Sequence, residues 1–142
     1  MANDPLYSTT ATVTGGREGK ASVSNGNLDL TLTPPKEMGG SGTGTNPEQL
    51  FAVGYAACFM SAMKMMASKD DSLSNVPDDA TIDSTVSMGK RDDGGFKLKI
   101  DFVLKMPGLD AAEIDKIAEA GHSVCPYTHA VKGNIDVTTT AG

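Results

Sequence analysis

The chain has no tryptophan, few aromatic residues (5%) and only two cysteines, Cys58 and Cys125, among its 142 residues. It also lacks any lysine or arginine cluster longer than two adjacent residues, and its formal net charge is −6. A nucleic-acid partner needs a positive stripe to displace counterions, and an anionic membrane surface needs the same sign, so both partner classes are excluded by charge. The first residues, Met1 to Tyr7, have no basic region followed by an apolar run, so they are not read as a secretory signal. The longest apolar stretch, Leu50 to Met63, is short of the roughly 20 residues of a bilayer span and suits a buried helix. A cytoplasmic location is the default expectation.

The hydrophobic content, 39%, suffices for one core, and the length suits a single domain over residues 1–142. Glycine is plentiful at 16 residues, implying many turns or close backbone approaches. Thirteen residues from Pro34 to Asn46 form a glycine-rich loop, but no Gly-Lys-Ser/Thr follows, and the spacing is not that of a dinucleotide fingerprint.

Strand signals come first: Tyr7 to Thr14, Lys20 to Ser24, and Leu28 to Leu32, separated by glycine-rich turns. Asn46, Pro47 and Glu48 then mark a helix start, with Asn as the cap, Pro at the first position and an acid in the first turn. That helix is predicted from Pro47 to about Ser68 and, being apolar nearly all round, belongs at the centre of the fold. Ala80 to Lys90 and Phe96 to Lys105 alternate around an Arg91–Gly95 turn, as a hairpin does. Asp110 caps a second helix, Ala111 to about His122. Pro126 then limits further helix, and Gly133 to Thr138 is a last strand. The order βββ-α-ββ-α-β describes an α+β fold of antiparallel sheets wrapped around a long buried central helix.

Two thiols in a reducing compartment point to catalysis, redox exchange or metal binding, with two inert buried thiols as the plain alternative. Cys58 lies mid-helix among Tyr55, Ala56, Ala57 and Phe59, where apolar surroundings raise a thiol's pKa and the helix dipole has faded. A reactive Cys58 therefore needs a cation. Of the two arginines, Arg91 sits in an acidic turn, whereas Arg17 stands between Gly15-Gly16 and Gly19, where backbone can approach closely. Lowering a thiol pKa from about 8.5 to about 5.5 is worth about 4 kcal/mol but raises the thiolate fraction at pH 7 only about thirty-fold. Arg17 would matter more if its fork also oriented a substrate and stabilised charge on the departing atom. Glu48 is the candidate counter-charge.

Glu48 and Cys58 are separated by about 15 Å along one helix. They cannot meet within one straight helix, but two copies crossing antiparallel near Val53 would set Glu48 of one opposite Cys58 of the other. Ala52, Gly54, Ala56 and Ala57 are small enough to permit that approach. The expectation is a two-fold dimer with sites at its interface. Cys125 precedes Pro126-Tyr127, and its distance from Cys58 is a tertiary matter. His122, Cys125, His129 and Cys58 would also make a tetrahedral zinc set, although a paired Cys-x2-Cys is missing and Pro126 interrupts the helix between the two histidines. A non-catalytic small-molecule binder remains a third class.

Four stretches together resemble the organic hydroperoxide resistance branch of the OsmC/Ohr superfamily. They are Ala11-Thr-Val-Thr-Gly-Gly-Arg-Glu-Gly19 with Leu6-Tyr7 before it, Gly44-Thr-Asn-Pro-Glu-Gln-Leu-Phe-Ala-Val-Gly-Tyr-Ala-Ala-Cys-Phe59, Val124-Cys-Pro-Tyr127, and Gly133-Asn-Ile-Asp-Val137. The resemblance implies an intertwined homodimer of the OsmC/Ohr-like fold and a peroxidase acting on alkyl and lipid hydroperoxides. It implies Cys58 as the attacking cysteine, Cys125 as the one that resolves its sulfenic acid to a disulfide, and Arg17 with Glu48 as the activating pair. It further implies no metal and no bound cofactor, with an external dithiol, a lipoylated protein or dihydrolipoamide, as reductant. Thr128-His129 departs from the Ser-Asn usual at that place, leaving open whether His129 tunes Cys125 or faces water. The cluster of Met60, Met63, Met65 and Met66 is expected either to fill the core or to soften a pocket that favours organic peroxides over hydrogen peroxide.

Overall fold

The structure is a computed structural model describing residues 4–142, so the reading of Met1 to Asn3 lies outside the described residues. The chain divides into two compact units, residues 1–50 and 51–142. In the first unit, β1 (Ala11–Thr14), β2 (Gly19–Val23) and β3 (Asp29–Leu32) form an antiparallel meander in the order β1-β2-β3. The first strand begins later than its β-branched run suggested. Gly15 and Gly16 turn β1 into β2 with φ of 73° and 62°, a left-handed pair that only glycine adopts without strain. A Cβ on Gly15 would also meet the Glu18 carbonyl oxygen at 2.2 Å.

After β3 the glycine-rich loop satisfies its own amides. Gly40 N–H donates to the Pro35 carbonyl, Gly42 N–H to the Pro34 carbonyl and Gly44 N–H to the Thr33 hydroxyl. These donors are turned into the chain and do not converge on an anion. A single 3-10 turn spans Lys36–Met38.

The long helix α1 (Pro47–Lys69) starts where Asn46 places it. The Asn46 side chain accepts from Gln49 N–H at 2.9 Å, and the Gln49 side chain accepts from Asn46 N–H at 3.1 Å. This is a reciprocal capping box, satisfying two amides that the helix start otherwise leaves without partners. At 23 residues and mean hydropathy 1.5, α1 meets the length and composition of a membrane span, a test that core helices of soluble proteins also meet.

In the second unit, α1 buries a stripe of Tyr55, Phe59, Ala62, Met63 and Ala67, following the three-to-four-residue helical repeat. Its opposite side is open, with Val53 69% exposed and Ala57, Ser61 and Met65 exposed below it. The all-round apolar character therefore predicted burial of more of α1 than one chain achieves. The hairpin β4 (Thr81–Lys90) and β5 (Phe96–Lys105) pairs Ile82 with Leu104, Ser84 with Phe102 and Val86 with Ile100 on the core face. Thr85 opposite Asp101 and Ser87 opposite Lys99 lie on the other face, the alternation that a half-buried sheet requires.

Helix α2 (Ala111–Val124) begins with the Asp110–Glu113 capping box and buries Ile114, Ile117, Ala118 and Gly121. Pro126 does not end helical structure: it occupies the first turn of a short helix α3 (Pro126–Val131), where its missing N–H costs nothing. The extended residue between the two helices is Cys125, at φ −69° and ψ 121°. Strand β6 (Asp136–Ala141) then joins β5 in parallel, giving the order β4-β5-β6. A parallel pair needs a crossover connection, and α2 with α3 supplies it. The second sheet is thus mixed, not wholly antiparallel, while the α+β class, the long helix and the strand order stand.

Candidate active site

Cys58 lies in the fourth turn of α1, at the edge between the buried stripe and the open side. Cys125 is 1% exposed, and both thiols are free. The chain's only cysteines are neighbours despite their distance in sequence, close enough for the Cys125 sulfur to act on the Cys58 thiol. Burial pushes the Cys58 thiol up, the adjacent Cys125 sulfur pushes it further, and a hydrogen bond from the Tyr127 backbone N–H opposes both. Tyr127 also closes over α1 at Gly54, where an added Cβ would lie 3.1 Å from the Tyr127 hydroxyl. Phe51, Tyr55 and Tyr127 form an aromatic cluster, with ring centroids 5.7 to 6.4 Å apart.

In the first unit, the Arg17 guanidinium grips Glu48 with both arms. Nη1 donates to Oε2 at 2.8 Å and Nη2 to Oε1 at 2.7 Å. The side chains are 38% and 19% exposed respectively. The hydrogen bonds from Arg17 hold the Glu48 carboxyl below its ordinary range, and the hydrogen bonds to Glu48 raise Arg17 in turn. The double turn at Gly15 and Gly16 presents Arg17, while the Asn46 cap places Glu48 in the first turn of α1. The pairing of these two residues, expected from charge alone, is what the structure contains. Arg91 is held at its own turn by Asp93 at 3.0 Å on the exposed hairpin.

A second set of contacts surrounds Cys125 and was not legible beforehand. The Thr128 hydroxyl is hydrogen-bonded to the Tyr55 hydroxyl at 2.8 Å and to His122 Nδ1 at 2.8 Å. His122 Nε2 meets the Thr139 hydroxyl, also at 2.8 Å. The His122 ring stacks on Phe59 at 3.9 Å and 16°. Burial depresses the His122 pKa, so the imidazole is held neutral. Of the departing pair Thr128-His129, it is Thr128 that reaches the site. His129 is exposed and lines a crevice of about 420 Å³ with Lys132, Val131 and Ile135.

The zinc set is not assembled: among the described residues no three of His, Cys, Asp and Glu gather as a metal site. His122 instead spends both ring nitrogens on hydroxyls. The methionines are dispersed, with Met63 in the core, Met60 packed against it and Met65 41% exposed. Met63 is core filling.

The chain has a two-sheet α+β fold with a long helix, its second unit holds two neighbouring thiols, Cys58 on α1 and Cys125 between α2 and α3, and residues 40–140 match the OsmC-like protein family model. The chain belongs to the OsmC-like family. Within it, the chain falls in the organic hydroperoxide resistance branch. It is 49% identical over 136 residues to an organic hydroperoxide resistance protein of Xanthomonas axonopodis pv. citri, covering 95% of this chain and 94% of that relative. The crystal structure of an organic hydroperoxide resistance protein from Legionella pneumophila superposes with a TM-score of 0.89 at 40% identity, covering 98% of this chain and 99% of that one. That of OhrB from Bacillus subtilis gives 0.86 at 37% identity, covering 97% and 100%.

Proposed function

We propose that this chain serves in resistance to organic hydroperoxides as a thiol peroxidase. The Cys58 thiolate attacks one peroxide oxygen, the O–O bond breaks, and the alkoxide leaves as an alcohol after taking a proton. Cys58 is then a sulfenic acid. Cys125 attacks its sulfur, the S–S bond forms, and hydroxide departs as water. An external dithiol, a lipoylated protein or dihydrolipoamide, reduces the disulfide and closes the cycle. The observation that carries this reading is the contact of two reduced thiols, one partly open and one buried, in a chain with no other cysteine.

The raised Cys58 pKa sharpens the requirement. A nucleophile needs the thiolate, so a cation must offset burial and the neighbouring sulfur. Arg17, oriented by Glu48, is assigned that task and the orientation of the peroxide. The open side of α1 at Val53, Ala57 and Ser61 supports a homodimer that brings two such helices together, with the active sites at the interface. Aromatic and aliphatic side chains near Cys58 favour alkyl and lipid hydroperoxides over hydrogen peroxide, since each Å² of organic tail buried contributes about 25 cal/mol. The chain works as one domain, without metal or bound cofactor, in a reducing cytoplasm.

The test is thiol titration after one equivalent of cumene hydroperoxide. Wild type should lose both free thiols, Cys125→Ser should stop at a sulfenic acid, and Cys58→Ser should not react. Two thiols surviving in wild type would refute the reading.

A further inference from the structure

Cys125 is the single extended residue between α2 and α3, and its own backbone is tied only locally. Its N–H donates to the Gly121 carbonyl, and its carbonyl accepts from His129 N–H. Neither bond links it to α1, where Cys58 sits. The link is made by side chains that flank both cysteines in sequence. His122 lies three residues before Cys125 and Thr128 three residues after it, and the two are hydrogen-bonded to each other. Tyr55, three residues before Cys58, is bonded to Thr128, and Phe59, one residue after Cys58, carries the His122 ring. Thr139 ties the far side of the imidazole to the central sheet.

Proton accounting gives this chain a direction. Tyr55 is 0% exposed, so its O–H must donate within the protein. If it donates to Thr128, the Thr128 O–H is free to donate to Nδ1 of a neutral His122, and Nε2–H donates to Thr139. Run the other way, the Thr128 proton goes to Tyr55 and the buried Tyr55 proton has no acceptor among the described residues. The arrangement that satisfies every donor therefore needs the Thr128 hydroxyl at its centre.

We propose that Thr128 is a positioning residue, acting through Tyr55 and His122 to hold Cys125 against the Cys58 sulfur and so to set the rate of disulfide closure. This rests on the peroxidase reading for its biological step, though the placement of the two sulfurs can be measured without it. Closure demands that the Cβ atoms lie about 3.8 Å apart with a narrow torsional range. Displacements near 1 Å cost about a hundred-fold in comparable reactions. In the step itself the Cys125 sulfur bonds to the Cys58 sulfur, the S–O bond breaks, and the leaving hydroxide takes the Cys125 proton to depart as water.

The experiment uses the full chain and rapid-quench mass spectrometry after mixing with cumene hydroperoxide, counting sulfenic acid and disulfide. The reading is the ratio of the closure rate to the sulfenic-acid formation rate. Thr128→Val should lower it about ten-fold or more, and Thr128→Ser, which keeps the hydroxyl, should stay within about three-fold of wild type. A valine variant within about two-fold of wild type, or a serine variant as slow as valine, overturns the proposal. Should the valine variant fail to give a cooperative melt, Tyr55→Phe takes its place under the same two criteria. A parallel equilibration in dithiothreitol redox buffers measures how readily the Cys58–Cys125 disulfide forms with no peroxide present, and the ten-fold loss is expected there too. If wild type ignores the hydroperoxide, the peroxidase reading falls, while this equilibrium still decides the positioning role.

Discussion

Replacing Gly121 by alanine tests how α2 meets α1 behind the two cysteines. A Cβ at Gly121 would lie 2.5 Å from Met63 Cγ, 3.0 Å from Phe59 Cε1 and 3.2 Å from the Met63 backbone nitrogen. Met63 and Phe59 are both 0% exposed, so neither has open space to move into. Forcing a methyl into such a contact costs about 3 kcal/mol, the upper part of the overpacking range, because one neighbour is backbone and cannot rotate away. Alanine returns about 1 kcal/mol through its better helix propensity. The net loss is about 2 kcal/mol, which lowers the melting temperature by about 4–8 °C for a chain of this size. Differential scanning calorimetry of wild type, Gly121→Ala and Gly89→Ala measures it. Gly89, in strand β4, has nothing among the described residues within 4 Å of an added Cβ. Its variant should stay within about 0.5 kcal/mol of wild type. A Gly121→Ala melting temperature equal to or above wild type would show that the helices are not as close as described.

Other perturbations probe charge. Glu48→Gln should destabilise by about 1 kcal/mol or less at pH 7, since the pair is partly solvent-screened. Because the Glu48 carboxyl is held low, its stabilisation is present above the ordinary carboxylate range and is lost as pH falls through the lowered value. The melting difference from wild type should therefore shrink as pH falls below the ordinary carboxylate value of about 4.5; a difference constant with pH contradicts the pairing. His122 is depressed by burial, so the unfolded chain takes up its proton first, and stability should fall as pH drops below about 6.5. An NMR titration of the imidazole with a midpoint at or above that value would contradict the buried network. In a Cys125→Ser background, Arg17→Ala should move the midpoint for alkylation of Cys58 by iodoacetamide to higher pH, and an unmoved midpoint would remove Arg17 from the activation step.

Much of the framework was readable from local chemistry. The Asn46-Pro47-Glu48 start of α1, the Asp110 cap of α2, the β4–β5 hairpin and the glycine turn carrying Arg17 each depend on a few adjacent residues. Such signals need no knowledge of what lies opposite in space. Pro126 was misread because the same residue that breaks a helix interior is favoured at its first turn, and only the chain's path after Cys125 distinguishes the two. The parallel seat of β6 depended likewise on where the crossover delivered it.

The sequence by itself determined most of the elements, the apolar character of the long helix and the identity of the residues able to do thiol chemistry. Periodicity and residue type act over a few residues and survive without a fold. Tertiary structure alone decided that Cys58 and Cys125 are neighbours and that Thr128 joins Tyr55 to His122. Such contacts join residues that local rules leave unrelated, and those of Cys125, Thr128 and His122 exist only once burial of the Tyr55–Phe59–Met63 stripe has drawn α2, α3 and the second sheet together.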